Sequence, residues 1–304
     1  MLKQYQYEDG INVYFYIPDD KGMEEELPIL FVFPGKPRNS ASILNDMIEI
    51  AERKRIILLS AKFDFEKYSP EMYNRGNVAI RSAIGHEYTI QEDASQFTFK
   101  KFKTIFTDFV QKLGLTNKTC DLYGFSAGAQ AVWTFLQFGS EEDLSFVNKV
   151  YPFSAGRYCY PSKDFSFPSG IKEFDTISDE DSKRFLSLDI CMGVGLLDNE
   201  EEKRNLPDAH FDSAFGNGRL RRARNFYSYC QKLAQDRNIP FNWGFMEVPD
   251  IAHDNSTKYD SEGNVIKKGM ARYFIEHVYE PSRNQLRTTT GVTPDDDYRW
   301  NSIV

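Results

Sequence analysis

The tetrapeptide Phe-Ser-Ala-Gly occurs twice, at 125–128 and again at 153–156. A serine hydroxyl is a weak nucleophile near neutral pH and needs a neighbouring base, itself oriented by a third group. A nucleophilic serine of this kind sits at the apex of a sharp strand-to-helix turn, where the residues two before and two after it must be small. Around Ser126 those residues are Gly124 and Gly128, whereas around Ser154 they are Pro152 and Gly156. Proline places a ring where the turn has no room. The segment "AGAQAVWTFLQF" after Ser126 carries apolar residues at helical spacing. By contrast, "AGRYCYPS" after Ser154 runs into Pro161, which no long helix tolerates. Ser126 is therefore the candidate nucleophile, and Ser154 a strand-end residue that lines the site at most.

Four histidines could supply the base: His86, His210, His253 and His277. In the order nucleophile, acid, base, the base follows the last strand. His253, in "FMEVPDIAHDN", lies just beyond such a strand. His277 falls inside a terminal helical pattern, His210 in a polar insertion, and His86 before the elbow. The acid should come from the loop after the preceding strand, and "ICMGVGLLDNEEE" offers Asp198. Asp189 stands at the wrong end of that strand, and Glu200, Glu201 and Glu202 read as a solvated charge run. Asp198 would accept the Nδ1 proton of His253 and stabilise the imidazolium. An oxyanion forming on the substrate needs backbone donors. The Ala127 N–H, at the start of the helix after Ser126, is one candidate. The Lys36 N–H in "FVFPGKPRN" is the other, with Arg38 as the fallback, since Pro37 has no N–H.

These residues need a scaffold that brings distant loops together. The 304-residue chain is 41% hydrophobic and 15% aromatic, enough to bury a core without a disulfide or metal staple. Short continuous apolar runs at 28–35, 55–61, 120–126, 149–156, 188–195 and 242–249 read as strands buried on both faces of a parallel sheet. The alternating segment 11–18 reads as an antiparallel edge strand. Helical patterns at 41–53, 97–113, 127–138, 220–236 and 267–278 fall between them. The expected fold class is α/β, a doubly wound, mostly parallel sheet flanked by helices. One domain is expected over 1–283, with insertions 157–186 and 199–222 after the sixth and seventh strands, followed by a polar tail, 284–304. Both insertions follow a strand's carboxyl end, where such sheets build their sites. The aromatic residues Tyr73, Tyr158, Tyr160, Phe165 and Phe167 either line a substrate pocket or pack the insertion's own core.

The formal net charge is −8. The basic run "RLRRAR" (219–224) reads as the solvated face of a helix, with an anion contact as the minority reading. Nucleic acid is not an expected partner. No apolar run approaches the length of a membrane span. The N-terminus "MLKQYQYEDG" has no apolar stretch, and Cys120, Cys159, Cys191 and Cys230 form no CxxC pair; both suggest reduced thiols in the cytoplasm.

The motifs "PILFVFPGKPRN", "YNRGN" (73–77), "YGFSAGAQ" (123–130), "FSAGRYCYP", "FPSG" (167–170), "ARNFYSYCQKLA" and "IPFNWGFMEVPDIAHD" together resemble the α/β-hydrolase superfamily. The likeness is to bacterial hydrolases near the polyhydroxybutyrate-depolymerase and feruloyl-esterase-like branch, and covers roughly residues 27–280. It implies an α/β-hydrolase fold, Ser126, Asp198 and His253 as nucleophile, acid and base, and Lys36 and Ala127 at the oxyanion positions. Tyr73, Asn74 and Tyr158 are the candidate pocket residues, and no metal or organic cofactor is implied. The expected substrate is a small to medium carboxylic ester. An amidase or peptidase using the same residues, acyl transfer to an alcohol, and a binding protein on a hydrolase scaffold are the rivals. One departure stands out: the family usually has His-Gly where this chain has Pro34-Gly35.

Overall fold

The computed structural model describes residues 1–19, 24–82, 87–116, 118–199 and 215–281. His86, His210, Glu200–Glu202, much of the second insertion and the tail from 284 lie outside the described residues.

Eight strands make the main sheet: β1 (Lys3–Gln6), β2 (Asn12–Tyr16), β3 (Ile29–Phe33), β4 (Ile57–Lys62), β7 (Cys120–Phe125), β8 (Val147–Phe153), β9 (Ile190–Gly195) and β10 (Trp243–Val248). Two short strands, β5 (Ala79–Arg81) and β6 (Tyr88–Ile90), form a separate hairpin, as do β11 (Lys258–Tyr259) and β12 (Val265–Lys267). The main order is β1-β2-β4-β3-β7-β8-β9-β10. Everything from β4 to β10 is parallel, while β1 and β2 are antiparallel to their neighbours. Segment 11–18 was expected at the sheet edge, but β2 is covered by β1, which pairs Lys3 with Phe15. The sequence of β1, "KQYQ", is polar and mostly exposed, so it carries no apolar pattern to betray a strand.

β3 and β7 are buried along their whole length. Successive side chains point to opposite faces, and each face has its own core. Phe31 and Phe33 pack with Phe102, Phe135 and Leu122 on one side; Leu30 and Val32 pack with Met47, Tyr123 and Phe274 on the other. Each fully buried side chain of this size contributes roughly 1.5–3 kcal/mol. The helices supplying these layers are α1 (Ser40–Lys54), α2 (Pro70–Asn74), α3 (Lys100–Lys112), α4 (Ala127–Phe138), α5 (Glu141–Leu144), α6 (Asp179–Ser187), α7 (Arg219–Asp236) and α8 (Met270–Tyr273). The last runs into a π-helical turn at Phe274–Val278. No described helix is long and apolar enough to cross a membrane.

The first insertion is not loop throughout. Its final part is α6, started by a reciprocal cap: Ser178 Oγ accepts the Asp181 N–H at 3.1 Å, and Asp181 Oδ2 accepts the Ser178 N–H at 3.0 Å. Its aromatic residues pack inward. Tyr160 and Phe165 meet Phe215 with centroids 4.6 and 4.9 Å apart, and Phe167 meets Phe174 at 5.5 Å. Of the two readings open for these rings, core packing is the one their burial favours.

Candidate active site

β7 ends at Phe125 and α4 begins at Ala127, with Ser126 alone between them at φ 54°, ψ −112°. A positive φ is strained for a residue with a Cβ and persists only where the surroundings enforce it. Two backbone bonds do so: Ser126 N–H donates to Phe153 O and Gln130 N–H to Ser126 O, both at 3.0 Å. The glycines either side are required by close approach. A Cβ on Gly124 would lie 2.7 Å from Gly128 O, and one on Gly128 would lie 2.0 Å from Phe33 O. Ser154 repeats the positive φ, at 51°, on the neighbouring strand. It is fully buried, however, and its Oγ has no hydrogen-bond partner among the described residues. Among the described residues no histidine hydrogen-bonds to it, in contrast to Ser126.

His253 Nε2 lies 2.9 Å from Ser126 Oγ, and His253 Nδ1 lies 2.8 Å from Asp198 Oδ2. Three loops thus converge from the carboxyl ends of β7, β9 and β10. The last two are pressed together. Leu196 and Leu197 donate N–H bonds to Val248 O and Ile251 O, and a Cβ on Gly195 would stand 2.0 Å from Ile251 O. The imidazole stacks on Phe125, with centroids 4.9 Å apart and planes at 27°. Its loop is tied down further by Tyr123, whose hydroxyl donates to Asn255 Oδ1, and by Asp254, which pairs with Lys267 at 2.6 Å. That hydrogen bond holds the Asp254 carboxyl below its ordinary value. His277 lies elsewhere, beside Tyr273 and Glu276.

The candidate acid is enclosed. Asp198 is 2% exposed; its N–H donates to Gly195 O and its carbonyl accepts the Leu220 N–H, each at 3.0 Å. Arg219 Nη1 stands 3.5 Å from Asp198 Oδ1. The basic run therefore departs only in part from the solvated face expected of it: Arg221 and Arg224 are exposed, but Arg219 lies half-buried beside a carboxylate. Arg222 is buried, donating from Nε to Gly216 O and from Nη1 to Gly156 O, and Arg224 binds both oxygens of Glu247. The helical period alone did not reveal this, because the carboxylate and carbonyls it meets come from distant loops.

On the other side of Ser126, the loop after β3 turns tightly at Gly35–Arg38. The Arg38 N–H is taken by Gly35 O at 3.0 Å, which removes the fallback oxyanion donor. The Lys36 N–H donates to no backbone acceptor among the described residues. A Cβ on Gly35 would sit 3.5 Å from Ser126 Cβ, so this turn lies against the serine. The Ala127 N–H belongs to the first turn of α4, whose N–H groups lack intrahelical partners and carry the positive end of the helix dipole.

The Pro34-Gly35 departure is compensated locally. Tyr73 Oη donates to Pro34 O at 2.9 Å. The buried Arg38 guanidinium lies 3.7 Å from the Tyr73 ring centre and 4.6 Å from that of Phe65, and its Nη1 donates to Phe63 O at 3.0 Å. Burial pushes the Arg38 pKa down. Nothing in the sequence around Arg38 signals this stack, since its partners come from another loop and helix. The pocket assignment needs correcting for two residues. Tyr73 is fully buried and braces the loop, and Tyr158, 2% exposed, stacks on Phe226 with centroids 4.5 Å apart. Asn74 is half-buried; its carbonyl accepts the Thr134 hydroxyl at 3.1 Å. Apolar side chains exposed near the site are instead Phe65, Leu196 and Leu197.

The sheet order, the left-handed serine between β7 and α4, and the converging loops define an α/β-hydrolase fold. Two solved structures share it closely. Poly(aspartic acid) hydrolase-1 from Sphingomonas sp. KT-1 matches with a TM-score of 0.73 and 24% identity, over 83% of this chain and 93% of its own. The poly(3-hydroxybutyrate) depolymerase from Bordetella parapertussis matches with a TM-score of 0.72 and 23% identity, over 84% of this chain and 85% of its own. No family model matches the sequence, and no curated protein matches it.

Proposed function

We propose that the chain is a serine hydrolase that cleaves a small to medium carboxylic ester through an acyl-enzyme on Ser126. The observation that carries this reading is the unbroken line from Ser126 Oγ to His253 Nε2, 2.9 Å, and from His253 Nδ1 to Asp198 Oδ2, 2.8 Å. Ser126 Oγ attacks the acyl carbonyl as His253 Nε2 takes its proton. Asp198 holds the imidazole and stabilises its charged form. The N–H groups of Lys36 and Ala127 receive the tetrahedral oxyanion. Collapse passes the His253 proton to the departing alcohol. Water, losing its proton to His253, then attacks the acyl carbon; the second tetrahedral adduct breaks the bond to Ser126 Oγ, which regains the proton.

An amide substrate would use the same steps. This second reading is kept because one structural neighbour is named for a poly(amino acid) substrate and the other for a hydroxyacid polymer. Rates on an ester and an anilide of one acyl group separate the two. The test of the main reading is labelling by a fluorophosphonate together with turnover of p-nitrophenyl esters. Ser126→Ala and His253→Ala should each lower turnover by roughly 10⁴–10⁶, and the double variant by no more. Ester hydrolysis at the parent rate by Ser126→Ala removes the reading.

A further inference from the structure

The start of α7 is built against the acid of the site. Gly218, at φ 78°, brings the chain so close to the Asp198 loop that a Cβ there would meet Asn199 O at 2.9 Å. The next two residues both reach Asp198: Arg219 with its guanidinium, 3.5 Å from Oδ1, and Leu220 with its N–H, bonded to the Asp198 carbonyl. The carboxylate is thus gripped from two sides, by His253 on Oδ2 and by Arg219 on Oδ1. Its near-complete burial leaves little water to take either place.

We infer that Arg219 is a positioning residue: from the side opposite His253 it holds the Asp198 carboxylate, and through it the orientation of the imidazole that faces Ser126. The inference rests on the proposed function. A guanidinium offers its N–H donors in a planar fork suited to a carboxylate. Among the described residues, the other charged groups around this pair are already engaged. Asp254, on the histidine's own loop, is paired with Lys267. The Tyr158 hydroxyl, from the first insertion, lies within the field of Asp198, Arg219 and Arg222, and burial keeps it protonated by raising its pKa. Arg222, from α7, is engaged with the carbonyls of Gly216 and Gly156. Ser126 lies at Nε2 and the Phe125 ring stacks on the imidazole, which remains partly exposed.

The test is kcat and KM on one p-nitrophenyl ester for Arg219→Gln and Arg219→Lys, with Tm measured beside them. A carboxylate free to turn holds the imidazole less well, so Arg219→Gln should lower kcat about tenfold with KM near the parent value, because the loss falls on the reacting geometry and not on substrate binding. Arg219→Lys keeps a cation beside Oδ1 and should recover most of that loss. Should the glutamine variant fail to fold, Arg219→Ala, which leaves the Leu220 bond to Asp198 in place, carries the test. Parental kcat in the folded variant, or Arg219→Lys no better than Arg219→Gln at equal Tm, overturns the inference. Full activity in Ser126→Ala would instead sink the function reading, so the two failures are distinguishable.

Discussion

Gly128→Ala tests how the elbow is held. A methyl group at this position would stand 2.0 Å from Phe33 O and 2.7 Å from Pro34 O. Carbon atoms essentially never come within 3.0 Å of such atoms, so α4 and β3 must part by about 1 Å. Phe33 cannot yield alone. Its strand is hydrogen-bonded to β4 on one side and β7 on the other, with Phe33 opposite Gly124. The contact is backbone against backbone, with no flexible side chain to swing away. The cost should therefore reach the upper end of the overpacking range, about 3 kcal/mol. In a chain of this length that lowers Tm by roughly 5 °C. Ser126 rides on the displaced helix, and a shift of about 1 Å in a reacting group costs on the order of 10²-fold in rate. Gly35→Ala is the control. Its new methyl would meet Phe125 O and Ser126 Cβ at 3.5 Å, ordinary contact, at a position without a positive φ. Its stability should be unchanged or raised by up to about 1 kcal/mol. Calorimetry and kcat on a p-nitrophenyl ester read both variants. Parental Tm and kcat in Gly128→Ala would refute the claim that this helix is pressed onto β3.

Two further outcomes are expected. Tyr73→Phe leaves the Pro34 carbonyl without its donor and should cost about 1–3 kcal/mol in urea unfolding; on the proposed mechanism the loop it braces meets the substrate oxygen chiefly as charge develops, so kcat should fall with little change in KM. Equal fall in both parameters, or none, would count against a bracing role. Asp254 has a carboxyl held below its ordinary value of 3.8 by the Lys267 hydrogen bond. A depressed carboxyl contributes stability above its unfolded value that is lost as pH falls through the folded one. Parent and Asp254→Asn should therefore differ in urea midpoint at pH 7 and converge well below pH 4, and a gap that persists at low pH would show that the pair is not responsible.

The sequence by itself determined the parallel sheet and the choice between the two Phe-Ser-Ala-Gly copies. Strands apolar on both faces, such as "ILFVF", have only one environment that satisfies them. The pair Gly124 and Gly128 speaks for itself because small residues two apart from a serine answer a steric need that is local. The loop ends of β9 and β10 pointed to Asp198 and His253 by order along the chain. What order could not supply was their meeting, which the structure places at 2.8 Å through Gly195 and Ile251 packing without a Cβ between them. The polar β1 had no pattern to read, and the aromatic residues of the first insertion could equally have lined a pocket. Tertiary structure alone decided that Tyr73 and Tyr158 are buried, that Arg38 stacks on Tyr73, and that Arg219 faces Asp198. Each of these depends on groups far apart in the chain, and the free energy of a buried charge or ring is set by what surrounds it, not by its neighbours in sequence.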